Sequence, residues 1–267
     1  MNKAEQALRE LHEMDTLAAG DSPLHRLCPL AKFFSTILYI AAVVSFGKYD
    51  LAGLAPLLLW PVLLFQIGGV PVGKCFYKLR FVLPLVMAVG LFNPLFDRAP
   101  YLTLGGVAVS GGVVSMVTLM TKGVLCLMAS FLLMATTRID ALCAALRRLH
   151  VPALFLSLLL LTYRYVGVMT EEVAIMTDAY ALRAPGQKGV HFRAWGSFLG
   201  QLLLRSMDRA EELYASMLLR GYHEHFHYAE AAPCTARDAA FLLGGAALFA
   251  LARFVNVAAL LGGMIVR

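Results

Sequence analysis

Two arginines stand where a side chain can do recognition chemistry. Arg183 closes the segment Ala179-Tyr180-Ala181-Leu182-Arg183-Ala184, and Arg220 closes Met217-Leu218-Leu219-Arg220-Gly221-Tyr222. A cation in the last turn of a helix is favoured by the carbonyl end of the dipole. A guanidinium there can also donate a planar, bidentate fork to a carboxylate on another protein. Each arginine alone reads as a capping residue, whereas two such ends on a pair of stacked helices read as docking contacts.

Other spacings suggest chemistry but are better read otherwise. Gly68-Gly69-Val70-Pro71-Val72-Gly73-Lys74-Cys75 fits the phosphate-loop pattern up to its last position. Such a loop needs a buried strand before it and a hydroxyl for magnesium after the lysine. Here an apolar span precedes it and Cys75 replaces the hydroxyl, so the match reads as chance and the chain is not expected to hydrolyse ATP. In His223-Glu224-His225-Phe226-His227, three imidazoles would share one side of an extended strand, as metal ligands can. With no fourth ligand set by the sequence they read as polar loop residues, and no metal or other cofactor is assigned to the chain. No serine sits in a glycine-flanked elbow and no carboxylate pair lies in an apolar span, so an enzyme active site is not expected. The five cysteines, Cys28, Cys75, Cys126, Cys143 and Cys234, lack metal-ligand spacing and read as small apolar residues.

The elements that must position the two arginines are helical. Between Arg205 and Tyr222, good helix formers dominate, and Arg205, Asp208, Arg209, Glu211 and Glu212 offer one another i,i+3 and i,i+4 partners. Gly221 sits where a left-handed cap is usually needed. Trp195, Phe198, Leu199, Leu202, Leu213 and Met217 trace an apolar stripe, which predicts a helix over about 194–220.

Everything around that helix is membrane-like. The 267 residues are 60% hydrophobic and only 15% charged, with a mean hydropathy of +0.71, which excludes an ordinary soluble domain. The fold class predicted is all-α, a polytopic membrane protein with about five transmembrane helices. The net charge of +6 is read as positive-inside loops, because no basic run interleaved with aromatics points to nucleic acid. The first thirty residues lack a continuous apolar stretch, so insertion is expected to rely on internal spans.

The spans are placed at 33–47, 51–70, 81–96, 113–134 and 239–266. A cytoplasmic loop holds Lys74, Lys78 and Arg80, and an external hairpin covers 101–112 around a Gly-Gly pair. Lys122, within the fourth span, reads as snorkelling or internally paired rather than as a contact to a partner subunit. Residues 153–169 are apolar enough for a further span. That choice would put Arg183, Lys188, Arg193, Arg205 and Arg209 outside, against the positive-inside rule, and the run holds Arg164 and is closely followed by Glu171 and Glu172. Residues 152–183 are therefore read as one long helix at the cytoplasmic interface, its apolar half covered by another protein or by lipid headgroups. The organisation expected is an amphipathic cytoplasmic start, 1–32, four spans over 33–137, a cytoplasmic helical region over 138–232 and a last span over 233–267. The amino end is then inside a prokaryotic cell (inner) membrane.

At these residues the chain resembles the transmembrane T component of energy-coupling factor transporters, and most closely the cobalt branch, the CbiQ family. The resemblance covers most of the chain: Asp15 with Ser22 to His25 and Pro29 to Lys32; Thr136 to Pro152; Tyr163, Arg164 and Tyr165 with Glu172, Ala179 and Arg183; and Arg205 to Tyr222. The last segment is the most specific, resembling the family's second Ala-Arg-Gly box in its R-S-x-x-R-A context. The boxes here read Leu182-Arg183-Ala184 and Leu219-Arg220-Gly221, keeping both arginines while their neighbours vary.

The resemblance implies two long coupling helices that cross beneath a substrate-binding S component, each arginine end seated in one of two cytosolic ABC-type ATPase subunits. It implies ATPase docking through Arg183, Ala184, Leu219, Arg220 and Gly221, with Arg164, Glu172, Arg205, Arg209 and Glu212 supporting the coupling helices. ATP and Mg would be hydrolysed by those partners. A CbiM-like S component, a small CbiN-like accessory membrane subunit and the lipid bilayer complete the expected partners, with no nucleic acid. The substrate implied is cobalt(II); nickel or a vitamin is the alternative, and a non-transporting membrane scaffold is the reading from a different class.

Overall fold

Proline and glycine decide where the helices of this chain start, bend and stop. The structure, a computed structural model, describes residues 3–92, 100–104, 107–187, 189–222 and 234–254. After α1 (Lys3–Ala18), α2 (Pro29–Ser45) opens on a proline at its first position, where a missing N–H is harmless. Helix α3 (Leu51–Gly68) carries Pro56 and Pro61 in its interior and stops at Gly69, whose φ of 62° is the left-handed cap. Helix α4 (Val72–Leu91) resumes almost at once. Lys74, Lys78 and Arg80, expected in a cytoplasmic loop, instead lie within α4, because its first residue, Val72, directly follows the helix-initiating Pro71.

Strands β1 (Pro100–Leu104) and β2 (Val107–Ser110) pair antiparallel, as the alternation about Gly105-Gly106 predicts. They lead into α5 (Gly111–Thr136), which is about 39 Å long at 1.5 Å per residue. The rest is α6 (Ile139–Arg147), α7 (Ala153–Arg183), a 3-10 turn (Phe192–Ala194), α8 (Trp195–Leu219) and α9 (Ala236–Phe254). Among the described residues, α5 and α7 are the helices whose length and composition suffice in one stretch to cross a membrane, while α2 and parts of α3 and α4 form shorter apolar helices. Among the described residues the fold is helical, with several apolar helices and the small hairpin as its one departure.

The chain divides into two compact units, one formed by Met1–Thr16 with Ile139–Ala231, the other by Leu17–Arg138 with Ala232–Arg267. The core of the second unit is drawn from α2, α3, α5 and α9: Tyr39, Val43, Leu54, Leu57, Leu125, Ala129, Phe249 and Ala252. Tyr39 is fully buried, and its hydroxyl donates to the Leu57 carbonyl at 3.0 Å. That carbonyl lacks its helical partner because the residue four positions on is Pro61, which has no N–H.

Two lysines follow a related rule. Lys32, only 5% exposed, donates to the Thr136 carbonyl at the end of α5 at 2.7 Å and to the His25 carbonyl at 3.3 Å. Lys122 donates to the Phe46 and Val44 carbonyls at the end of α2, at 2.5 and 3.4 Å. Helix carboxyl ends present unpaired carbonyls and a negative partial charge, so each ammonium finds its counter-charge in the backbone. Internal pairing of Lys122 is thus the arrangement present.

The cysteines are not all isolated. Cys28 and Cys234 are joined as a disulfide, their Cα atoms 5.5 Å apart, which corrects the reading of both as merely small apolar residues. At a sequence separation of 206, no local spacing announces the pair. Beside it, Asp238 accepts from the Cys28 N–H at 2.8 Å and, on its other oxygen, from the Thr235 N–H and hydroxyl at 2.7 and 2.8 Å, capping the start of α9. The phosphate-loop look-alike is a helix cap followed by a new helix, with no strand before it.

Candidate functional site

Helix α8 ends as its sequence dictates. Gly221 takes a φ of 79°, its N–H reaches the Leu218 carbonyl at 3.0 Å, and the Tyr222 N–H reaches the Met217 carbonyl at 3.0 Å. This is the paired Schellman closure, and it holds Arg220 as the last residue before the chain turns away. Leu219, 90% exposed, lies beside it.

Helix α7 ends differently. Arg183 is its last residue, but Ala184 adopts a φ of −127° and closes the helix with one bond, from its N–H to the Tyr180 carbonyl at 3.0 Å. An alanine in the left-handed region would be strained, so the positive φ moves two residues on, to Gly186 at 91°. The Tyr180 hydroxyl then gathers the following loop, donating to Gln187 at 3.1 Å and accepting from the His191 N–H at 3.4 Å. Leu182 is 84% exposed, so both helices finish with an open leucine followed by an exposed arginine. Among the described residues neither arginine forms an ion pair. A leucine with a guanidinium is suited to a partner groove that is apolar beside a carboxylate.

The supporting charges are placed as follows. Arg205 of α8 donates to Glu172 of α7 at 2.6 Å, tying the two helices together. Arg209 pairs with Glu212 within α8 at 3.2 Å, an i,i+3 contact that leaves both exposed. Arg164 is exposed on α7. The Tyr163 hydroxyl donates to Asp15 of α1 at 2.5 Å, a contact over 148 positions that spacing does not reveal. Along α7 the apolar side is open, with Leu154, Phe155, Leu158 and Leu159 all exposed. That 153–183 is a single helix agrees with the sequence reading.

His223, His225 and His227 lie outside the described residues. Among the described residues no group of three or more His, Cys, Asp or Glu side chains is placed to hold a metal ion.

A bundle of apolar helices, together with two long, open-faced helices ending in exposed arginines, defines a membrane component built to engage other subunits. The profile of the cobalt transport protein family CbiQ matches residues 20–228. This chain belongs to that family, the transmembrane T components of energy-coupling factor transporters, and is a transport component rather than an enzyme. It is 29% identical over 229 residues to the energy-coupling factor transporter transmembrane protein EcfT of Bacillus selenitireducens, covering 76% of this chain and 81% of that one. It is 35% identical over 91 residues to the cobalt transport protein CbiQ of Rhodobacter capsulatus, covering 34% of this chain and 37% of that one. It is 32% identical over 91 residues to the nickel permease LarQ of Lactiplantibacillus plantarum, covering 34% of this chain and 33% of that one. The matched region thus spans about a third of the nickel permease and of the CbiQ relative, and about four fifths of EcfT.

Proposed function

We propose that this chain couples cytosolic ATPases to a substrate-binding membrane subunit in a cobalt(II) importer. The observation that carries the reading is the matched pair of helix ends: an exposed leucine followed by an arginine, once at Leu182-Arg183 and once at Leu219-Arg220. Each end seats in one of two ABC-type ATPase subunits, with Ala184 and Gly221 shaping the exit of the chain. The amino end is cytoplasmic and α7 and α8 lie at the inner interface of the cell membrane, which keeps their arginines on the side where ATP is found. Closure of the ATPases on ATP and Mg moves the two ends together, and the Glu172–Arg205 contact transmits that motion between the helices. The open apolar side of α7 over 153–169 holds a CbiM-like S component, with a small CbiN-like subunit as accessory.

Replacing Arg183 and Arg220 together by glutamate tests this. The expected result is loss of ATPase co-purification and of cobalt uptake, while the chain remains inserted; undiminished assembly and transport would sink the assignment. The similarity to a nickel permease favours nickel as the second substrate reading. Competition between labelled cobalt and nickel for uptake separates the two.

A further inference from the structure

The chain passes between its two units at three places: after Thr16, after Arg138 and after Ala231. Within the Leu17–Arg138 and Ala232–Arg267 unit, the residues beside all three crossings are held by one short stretch, Ser22 to Lys32, which leads from α1 into the first turn of α2. His25 holds two of them. Its Nε2 lies 3.0 Å from the Leu17 carbonyl, just past the first crossing, and 3.3 Å from the Ala135 carbonyl, shortly before the second. Carbonyl oxygens only accept, so Nε2 carries a proton and donates to both. Nδ1 lies 2.7 Å from the Ser22 hydroxyl, which fixes the ring.

Lys32 repeats the second hold, its ammonium donating to the Thr136 carbonyl at 2.7 Å. Cys28 takes the third: it is bonded to Cys234, shortly past Ala231, and its N–H donates to Asp238 at 2.8 Å. Leu24, only 2% exposed, fills the space beneath, for a Cβ on Gly68 would come 3.2 Å from Leu24 Cδ2 and 3.9 Å from Thr136 Cγ2. None of these residues belongs to the apolar core around Tyr39. A buried ammonium is costly unless it is paired, and here it is placed at a crossing. Helix ends fray when their carbonyls are left open, and a frayed end absorbs a displacement that a held end passes on.

We propose that Ser22 to Lys32 is the joint through which movement of the coupling helices enters the bundle, with His25 and Lys32 as its positioning residues. This rests on the coupling function proposed above. Helices α7 and α8 both lie between the second and third crossings, so a displacement at Arg183 and Arg220 reaches the bundle along the chain only through the crossings. Tied to one segment, the ends of α1 and α5 and the start of α9 move together. Untied, they move separately, and ATP is hydrolysed without substrate being carried.

The joint itself is tested on the full chain in detergent by amide hydrogen exchange. His25→Leu should speed exchange at 17–20 and 133–137 together and leave 39–46 unchanged; no joint change at the two segments would overturn the proposal whatever the ATPases do. Its role is tested in proteoliposomes holding the full transporter complex, as ATP hydrolysed per labelled cobalt(II) taken up. His25→Leu should raise that ratio about fivefold, within the range by which one residue on a coupling route alters coupling. His25→Gln, whose amide N–H groups can replace the Nε2 donor, should restore it. Ser22→Ala, which only loosens the ring, should raise the ratio by less, and it keeps the role testable if His25→Leu is poorly inserted. A merely structural part would lower hydrolysis and uptake equally, so an unchanged ratio in both variants would overturn the positioning role. A wild-type chain that retains no ATPase would overturn the coupling function and this role with it, while the exchange result for the joint would stand.

Discussion

The Tyr39 hydroxyl donates to the Leu57 carbonyl at 3.0 Å, at the point in α3 where Pro61 withholds an N–H. A proline within an apolar helix thereby becomes a contact between two helices. Removing the hydroxyl by Tyr39→Phe leaves a buried carbonyl unpaired, and the expected loss is about 1–3 kcal/mol. In a Pro61→Ala background, residue 61 regains an N–H for that carbonyl, so the same Tyr39→Phe change should cost much less. Thermal unfolding of the four proteins in one detergent gives the coupling directly. Equal costs in both backgrounds would show that the hydroxyl does not answer the proline.

The Glu172–Arg205 pair joins α7 to α8, but its side chains are 34% and 47% exposed. Solvent screening holds such a pair to about 0–1 kcal/mol, so its contribution to stability is small. Its expected importance is to motion. Glu172→Arg should lower cobalt uptake with little change in unfolding temperature, and adding Arg205→Glu should restore uptake by reversing the pair. Failure of the double variant to recover transport, with assembly intact, would remove this pair from the coupling path.

The two helix ends should respond differently to the same residue type. Gly221 holds a φ of 79°, so Gly221→Ala forces a side chain into the left-handed region at about 1–2 kcal/mol. The expected consequence is unwinding of the α8 terminus and weaker ATPase co-purification, with Gly221→Asn less affected because asparagine tolerates that conformation. At the other end Ala184 has a φ of −127°, and Ala184→Gly should leave stability within about 0.5 kcal/mol. Comparison of ATPase retention for the three variants checks the asymmetry.

Much of the architecture is local and could be read along the chain. Apolar runs interrupted by proline and glycine specify α2, α3 and α5, and the alternation around Gly105-Gly106 specifies the hairpin. The terminus of α8 is equally local, since Leu218 to Tyr222 contain all the turn's hydrogen-bonding groups but one, the Met217 carbonyl just before them. The error at 71–80 is also instructive. Charge reads as the mark of a loop, whereas basic residues are good helix formers and Pro71 is a helix starter, so α4 begins nine residues before the span expected from residue 81.

By itself, then, the sequence determined the helices, their membrane character and the two arginine ends, because propensity, hydropathy and capping act over a few residues. Tertiary structure decided what meets across long separations. It set the Lys32 ammonium on the end of α5, the Tyr39 hydroxyl on Leu57, Cys28 beside Cys234 and Asp15 against Tyr163. It also left the cleft between α3 and α4 open. These depend on where whole helices pack, and packing satisfies buried carbonyls and charges through groups that no sequence interval identifies.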